Sequence, residues 1–236
     1  MVETRTLPDA AAWTQACADL LAETLADALA ETGKAVFAGA GGSTPSPIYV
    51  RLSQAPLDWS RIAVTLVDER YVPETSDDSN AALMKRTLLT GPAAVARFIT
   101  LYSPQVTIDR AAAVAAHALA AEGGRIDAAL LGMGEDGHIC SMFPGNPALK
   151  SLLSPALRPT VFGVAAGRDG MPPSLERLSI NLPYLTGARR VVLALTGAKK
   201  REVFEQEAAG DPNTHPIAAL IANKAPLEVL WTEAAR

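Results

Sequence analysis

The 236-residue sequence is 49% hydrophobic but only 5% aromatic, so its interior has to be built from Ala, Val, Leu and Ile, and its length suits one large α/β domain with a sizeable core. A formal net charge of −4 argues against general nucleic-acid binding, and it means that an anionic ligand needs a local cluster of Arg and Lys. Cys17 and Cys140 lack CxxC spacing, which argues against a zinc or disulfide framework; with no basic-then-apolar leader and no apolar run of membrane length, a cytoplasmic protein is expected.

Asp9, after Pro8, reads as the cap of a long helix in which Trp13, Cys17, Leu21, Leu25 and Leu29 recur every four residues until Gly33 ends it. Residues 34–40 form a short buried strand that runs into Gly41-Gly42-Ser43-Thr44-Pro45. Glycines, two hydroxyls and a proline able to open a helix over 48–52 suit an anion-cradling loop. The loop is neither a Walker sequence nor GxGxxG, which leaves nucleotide binding without support. Residues 62–67 are apolar throughout, as in a parallel strand covered on both faces, and end in Asp68-Glu69-Arg70-Tyr71-Val72-Pro73. Ser79-Asn80 opens a helix over 81–89, with Asn80 as N-cap, ligand contact or both. Residues 98–102 read as a third strand, and Asp109 as the cap of an Ala-rich helix reaching Gly123-Gly124, with His117 inside it structural or solvent-facing.

Residues 126–131 make another buried strand, which breaks into Gly132-Met133-Gly134-Glu135-Asp136-Gly137-His138. Three glycines let this backbone turn sharply and lie close to a ligand, and the turn holds one carboxylate and one imidazole. The carboxyl end of a strand is where open α/β sheets place their sites. A strand over 160–166 follows, then Gly167-Arg168-Asp169-Gly170-Met171-Pro172-Pro173, the stretch Glu176-Arg177-Leu178-Ser179 and a short helix. A strand over 189–196 ends in Gly197-Ala198-Lys199-Lys200; a helix over 216–221, preceded by a loop residue His215, and a strand over 227–231 complete the chain. Alternating strands and helices imply a doubly wound, mostly parallel sheet in a single α/β domain over 1–236.

Gly132 to His138, followed by Ser141-Met142-Phe143-Pro144-Gly145, closely resembles the signature of the 6-phosphogluconolactonases, which stand with the glucosamine-6-phosphate deaminases in one superfamily. The Gly41–Pro45 loop matches that family's phosphate loop, residues 68–73 its DERxVP motif, Ser79-Asn80 its SN pair and residues 197–200 its GxxK, so that Lys200 is the matching lysine. One feature departs from the pattern: Gly170 and Met171 stand where the family carries a lysine before the paired prolines, and Arg168 is the residue expected to supply the charge. Deaminases resemble GxGxDGHIAFNEPG, with a Glu that works with the His in ring opening. Here no acid lies between His138 and Pro144, and Asp68-Glu69-Arg70 replaces the deaminase DEY; both departures point to the lactonase branch.

The resemblance implies a modified Rossmann-like fold and hydrolysis of 6-phospho-D-glucono-1,5-lactone to 6-phosphogluconate, the second step of the oxidative pentose phosphate pathway, with no metal or other cofactor. Such a hydrolysis needs an activated water, a stabilised oxyanion and a proton for the leaving ring oxygen. His138 is expected as general base, Asp136 as the group that orients the loop or ring, and Asp68 as a further catalytic candidate. Backbone N–H groups of the glycine turn, Gly134 among them, are the oxyanion candidates. Gly41, Gly42, Ser43, Thr44, Arg70, Asn80, Arg168 and Lys200 are expected to hold the phosphate or the sugar hydroxyls. Ser43 and Ser141 lack nucleophile-elbow spacing. The alternatives are a glucosamine-6-phosphate deaminase/isomerase-type enzyme and a non-catalytic sugar-phosphate sensor. No nucleic-acid or membrane partner is expected, and the chain is read as a monomer or small homo-oligomer.

Overall fold

The structure, a computed structural model, describes residues 4–233. In chain order its regular elements are β1 (Thr4–Thr6), α1 (Ala10–Thr32), β2 (Ala35–Gly39), α2 (Ser46–Leu52), β3 (Ile62–Leu66), β4 (Asp68–Arg70), α3 (Asn80–Thr87), β5 (Arg97–Phe98) and α4 (Ile108–Ala121). There follow β6 (Ala128–Leu131), α5 (Leu149–Leu152), β7 (Val161–Val164), β8 (Arg177–Ile180), α6 (Leu182–Thr186), β9 (Arg190–Thr196), α7 (Ala198–Ala208), α8 (Pro216–Ala222) and β10 (Leu227–Thr232). Seven strands form a parallel sheet in the order β1-β10-β9-β6-β2-β3-β5.

The apolar runs explain the middle of this sheet. Every residue of β2, β3 and β6 is buried, and so are the five central residues of β9, because helices cover both faces. Along α1 the four-residue repeat buries Trp13, Cys17, Leu21 and Leu25, each worth roughly 1.5–3 kcal/mol for the larger side chains. The Trp13 indole also donates to Leu230 O (3.1 Å), fastening α1 to β10. Asp9 caps the helix by accepting from Ala12 N (2.8 Å), and Gly33 ends it in a left-handed conformation, both as expected.

Three local expectations shift. Thr107, not Asp109, caps α4 by accepting from Arg110 N (3.3 Å), and Asp109 lies inside the first turn, where its charge complements the helix dipole. Strand β5 stops at Phe98 instead of reaching Tyr102, because the Thr100 hydroxyl accepts from Tyr102 N (3.2 Å) and offers the backbone a local partner in place of a ladder. The third shift matters most for function. Beside the parallel sheet lies a second, antiparallel one, β4-β8-β7, in which the strand expected over 160–166 pairs with β8 and two of the three strands, β4 and β8, come from stretches with no strand expectation. Among the described residues no helix is long and apolar enough to cross a membrane.

Candidate active site

The carboxyl ends of β2, β3, β6 and β9 open into a cavity of about 290 Å³, lined by Gly41, Gly42, Ser43, Thr44, Asp68, Arg70, Asn80, Gly134, His138, Cys140, Arg177 and Lys200 among others. A second space of about 420 Å³ adjoins it: Arg70, His138 and Arg177 border both, and the turn over 167–173 closes the far side. The structure therefore brings together eleven of the twelve residues singled out from the sequence or sets them beside the cavity wall: Gly41, Gly42, Ser43, Thr44, Asp68, Arg70, Asn80, Gly134, Asp136, His138 and Lys200.

The turn after β6 positions the acid–base pair. Gly134 N donates to His138 O (2.9 Å) and Gly137 N to Gly134 O (3.2 Å), so the loop closes on itself. The closure carries the Asp136 carboxylate to the imidazole: Oδ1 lies 2.5 Å from His138 Nδ1 and also accepts from His138 N (3.3 Å). Burial pushes the Asp136 carboxyl up, but the hydrogen bond and charge of His138 outweigh it and hold the group below its ordinary value. With Nδ1 engaged, Nε2 is the nitrogen left for chemistry. The Phe143 ring stacks on the imidazole at 4.2 Å between centroids, which fixes its plane. A side chain at Gly134 would collide with this pair, since a Cβ there lies 2.3 Å from His138 Nδ1. One expectation changes: the N–H groups of Gly134 and Gly137 are engaged in closing the turn and are not free to bind an oxyanion. By contrast the N–H groups of Gly42, Ser43 and Thr44 make no hydrogen bond to any described residue.

Strands β4 and β8 supply the charge. Their antiparallel register sets Arg70 opposite Arg177 and Asp68 opposite Ser179. Like charges directly across a strand pair are unfavourable, so the pairing calls for an anion between them. Burial pushes the Arg177 guanidinium down; Asp68 opposes this, and the Arg70 charge adds a smaller downward push. The Nε groups of both arginines are buried without a hydrogen-bond partner among the described residues. Asp68 is buried and already occupied: Ser141 Oγ donates to it (2.7 Å), Arg177 lies 3.8 Å away, and the Asn80 amide donates to its backbone O (2.9 Å). Ser141 thus has its proton turned to Asp68 and its side chain fully buried, away from any nucleophilic role.

Glu69 ties this strand to α3. Its carboxylate accepts from Asn80 N (2.8 Å), Ala81 N (2.7 Å) and Ser79 Oγ (3.1 Å), satisfying N–H groups left free at the helix start. Ser79 is the N-cap, accepting from Ala82 N (3.2 Å), and Asn80 is the first helical residue, its amide turned to the cavity wall. From the other side α7 delivers Lys200, whose Nζ donates to Met133 O (2.7 Å); burial lowers its pKa and Glu135 partly restores it.

The sequence of residues 8–231 matches the model of the family described as glucosamine-6-phosphate isomerases/6-phosphogluconolactonase. The 6-phosphogluconolactonase of Rhizobium meliloti is 42% identical over 219 residues, covering 92% of this chain and 93% of that protein. The chain belongs to the glucosamine-6-phosphate isomerase/6-phosphogluconolactonase family. The Pseudomonas aeruginosa 6-phosphogluconolactonase is 40% identical, covering 88% of this chain and 85% of its own length. The crystal structure of a 6-phosphogluconolactonase from Shewanella baltica superposes with a TM-score of 0.88 at 31% identity, covering 98% of each chain. The chain is an enzyme of this family with its α/β fold.

Two residues of the family motifs sit otherwise than expected. Arg168 does not border the catalytic cavity: the turn over 167–173 directs it into a separate space of about 400 Å³ beside Pro144, Asn146 and Ala165. Arg177, which matches the family's R-hydrophobic-S/T stretch, has no site role in the sequence reading because its partner is distant along the chain; the signal for it is a charged residue alternating with apolar ones in Arg177-Leu178-Ser179-Ile180, a half-buried strand pattern.

Proposed function

We propose that this enzyme hydrolyses 6-phospho-D-glucono-1,5-lactone to 6-phosphogluconate in the oxidative pentose phosphate pathway, with the chain acting as one domain in the cytoplasm and without a cofactor. The observation that carries the reading is the placement of the Asp136–His138 pair and the facing Arg70–Arg177 pair on the rim of one cavity. An imidazole with its Nδ1 held by a carboxylate suits acid–base work near neutral pH, and two opposed guanidiniums suit a phosphate. The names of the relatives from Rhizobium meliloti and Pseudomonas aeruginosa support the same substrate.

The chemistry follows from the geometry. The phosphate binds between Arg70 and Arg177, whose mutual repulsion it relieves, and that anchorage sets the lactone carbonyl near His138. His138 Nε2 takes a proton from a water as it attacks the carbonyl carbon. Asp136 stabilises the imidazolium that forms, and the same Nε2–H then protonates the departing ring oxygen. The free N–H groups of Gly42, Ser43 and Thr44 are placed to meet the oxyanion or the sugar hydroxyls, such a donor being worth roughly 3 kcal/mol at the transition state. Lys200 steadies Met133 at the foot of the catalytic turn and adds positive charge to the wall. Asp68 orients Arg177 and Ser141 more than it serves as a base, since its oxygens are already engaged.

The test is the consumption of freshly generated lactone measured against its spontaneous hydrolysis, beside a deamination assay on glucosamine 6-phosphate. Enzyme-dependent lactone loss without ammonia release is expected. Ammonia release at a comparable rate would overturn the reading, and no turnover of either substrate would leave a sugar-phosphate sensor in its place.

A further inference from the structure

We propose that Glu207 on α7 is a positioning residue for the catalytic turn, its carboxyl group forming the back support on which Gly137 rests and which keeps Asp136 and His138 aimed into the cavity. Lys200 and Glu207 are seven residues apart on α7, two helical turns, and so share one face of that helix. Lys200 fastens the near limb of the turn through Met133 O. Glu207 meets the far limb: a Cβ built at Gly137 would lie 2.3 Å from Glu207 Cδ and 2.4 Å from Oε1. The turn is thereby braced at both ends by one helix, and the residue between its two catalytic side chains is the one in contact with the carboxyl.

The Glu207 side chain makes no hydrogen bond to a described residue. It is 9% exposed, and its Oε2 lacks a hydrogen-bond partner among the described residues. A buried polar atom left in that state is unfavourable, and an apolar side chain would fill the same space without the cost. Burial pushes the carboxyl up, His215 opposes this and the Asp136 charge adds to it. A carboxyl packed on Gly137 acts through shape, which a glutamine copies and an alanine does not. Gly137 itself has φ +84, so a side chain there meets backbone strain as well as the Glu207 carboxyl.

The inference rests on the reading of His138 as general base, and its test has an arm that does not. Protein labelled with ¹⁵N-histidine reports the Nδ1–H of His138 held by Asp136, assigned by its loss in His138→Asn. Glu207→Ala should broaden or shift that signal, lower kcat on the lactone about 10- to 100-fold and leave KM and the affinity for inorganic phosphate close to wild type. Glu207→Gln should restore both the signal and kcat. Gly137→Ala should disturb the same signal, and combining it with Glu207→Ala should recover part of the loss, because the methyl then has room. A folded Glu207→Ala protein with an unchanged His138 signal and unchanged kcat overturns the proposal, as does a double variant in which the two losses simply multiply. Should wild-type protein fail to hydrolyse the lactone, the functional reading falls while the imidazole spectra still decide the role of Glu207.

Discussion

At the amino ends of the strands, Asp127 accepts from Val36 N (2.9 Å) and pairs with Arg189 (3.0 Å) and Arg125 (2.7 Å), while Arg189 also reaches Glu31 (2.7 Å) and Arg190 meets Glu228 (2.9 Å). At the carboxyl ends Arg70 stands opposite Arg177, both Nε groups lack partners among the described residues, and Lys200 answers only a carbonyl oxygen. One end has matched its charges; at the other Arg177 has only a distant partner in Asp68 (3.8 Å) and Arg70 answers the Asp78 backbone O, which leaves both guanidiniums with donors to spare. The lesson is that the same residue types stabilise the fold where they are paired and create a binding site where they are not.

Substitutions at the two ends should separate these roles, and the largest effect belongs to the catalytic turn. His138→Asn should lower kcat by roughly 10²–10⁴-fold at unchanged thermal stability. Near-normal turnover in the folded variant would break the comparison at its functional end. Next in size, Asp127→Ala should destabilise by about 2–3 kcal/mol, below the ~3–5 of a fully buried pair because Arg125 and Arg189 are partly exposed, while kcat per folded molecule stays at the parent value. Urea denaturation and active-site-normalised rates measure the two halves of that statement.

A smaller effect is expected at the arginines, with the opposite pattern. Arg70→Ala and Arg177→Ala should each weaken binding of the phosphorylated lactone by about 1.5–3 kcal/mol and change melting temperature little, since relief of the like-charge contact is offset by loss of the contacts to Asp78 O and Asp68. If the same variants lose as much activity on unphosphorylated gluconolactone, the guanidiniums do not read the phosphate. Smallest is a pH effect. The folded-state pKa of Asp136 is depressed, so its ionisation contributes stability above the ordinary value of 3.8 that is lost as pH falls through the depressed one. In Asp136→Asn that part of the acid-side decline should vanish, which urea midpoints measured from pH 5 downward will register.

Much of the parallel sheet was legible because β2, β3, β6 and β9 are covered on both faces and therefore read as apolar runs. Of the second sheet only β7 was, inside the strand read over 160–166, and β4 and β8 were not, for a physical reason. Asp68-Glu69-Arg70 has no apolar alternation, and its strand geometry comes from pairing with β8, a contact no local window contains. The catalytic turn was legible as glycines around Asp136 and His138, since the chemistry and the close approach are both local. Glu207 left no trace beyond helix periodicity: its meaning lies in touching Gly137 from another element. Arg168 was misplaced because nearness along the chain says nothing about which way a turn points its side chain.

The crowding at Gly134 sets a rule for inheritance and for grafting. Because a methyl there would overlap the His138 ring and approach Asp136 Oδ1 to 2.4 Å, the acid and the imidazole can meet only where position 134 is already glycine, which fixes the order in which the three are acquired. A scaffold offered Asp and His alone at this spacing would hold them apart, and a saturation library at position 134 screened for turnover should return glycine.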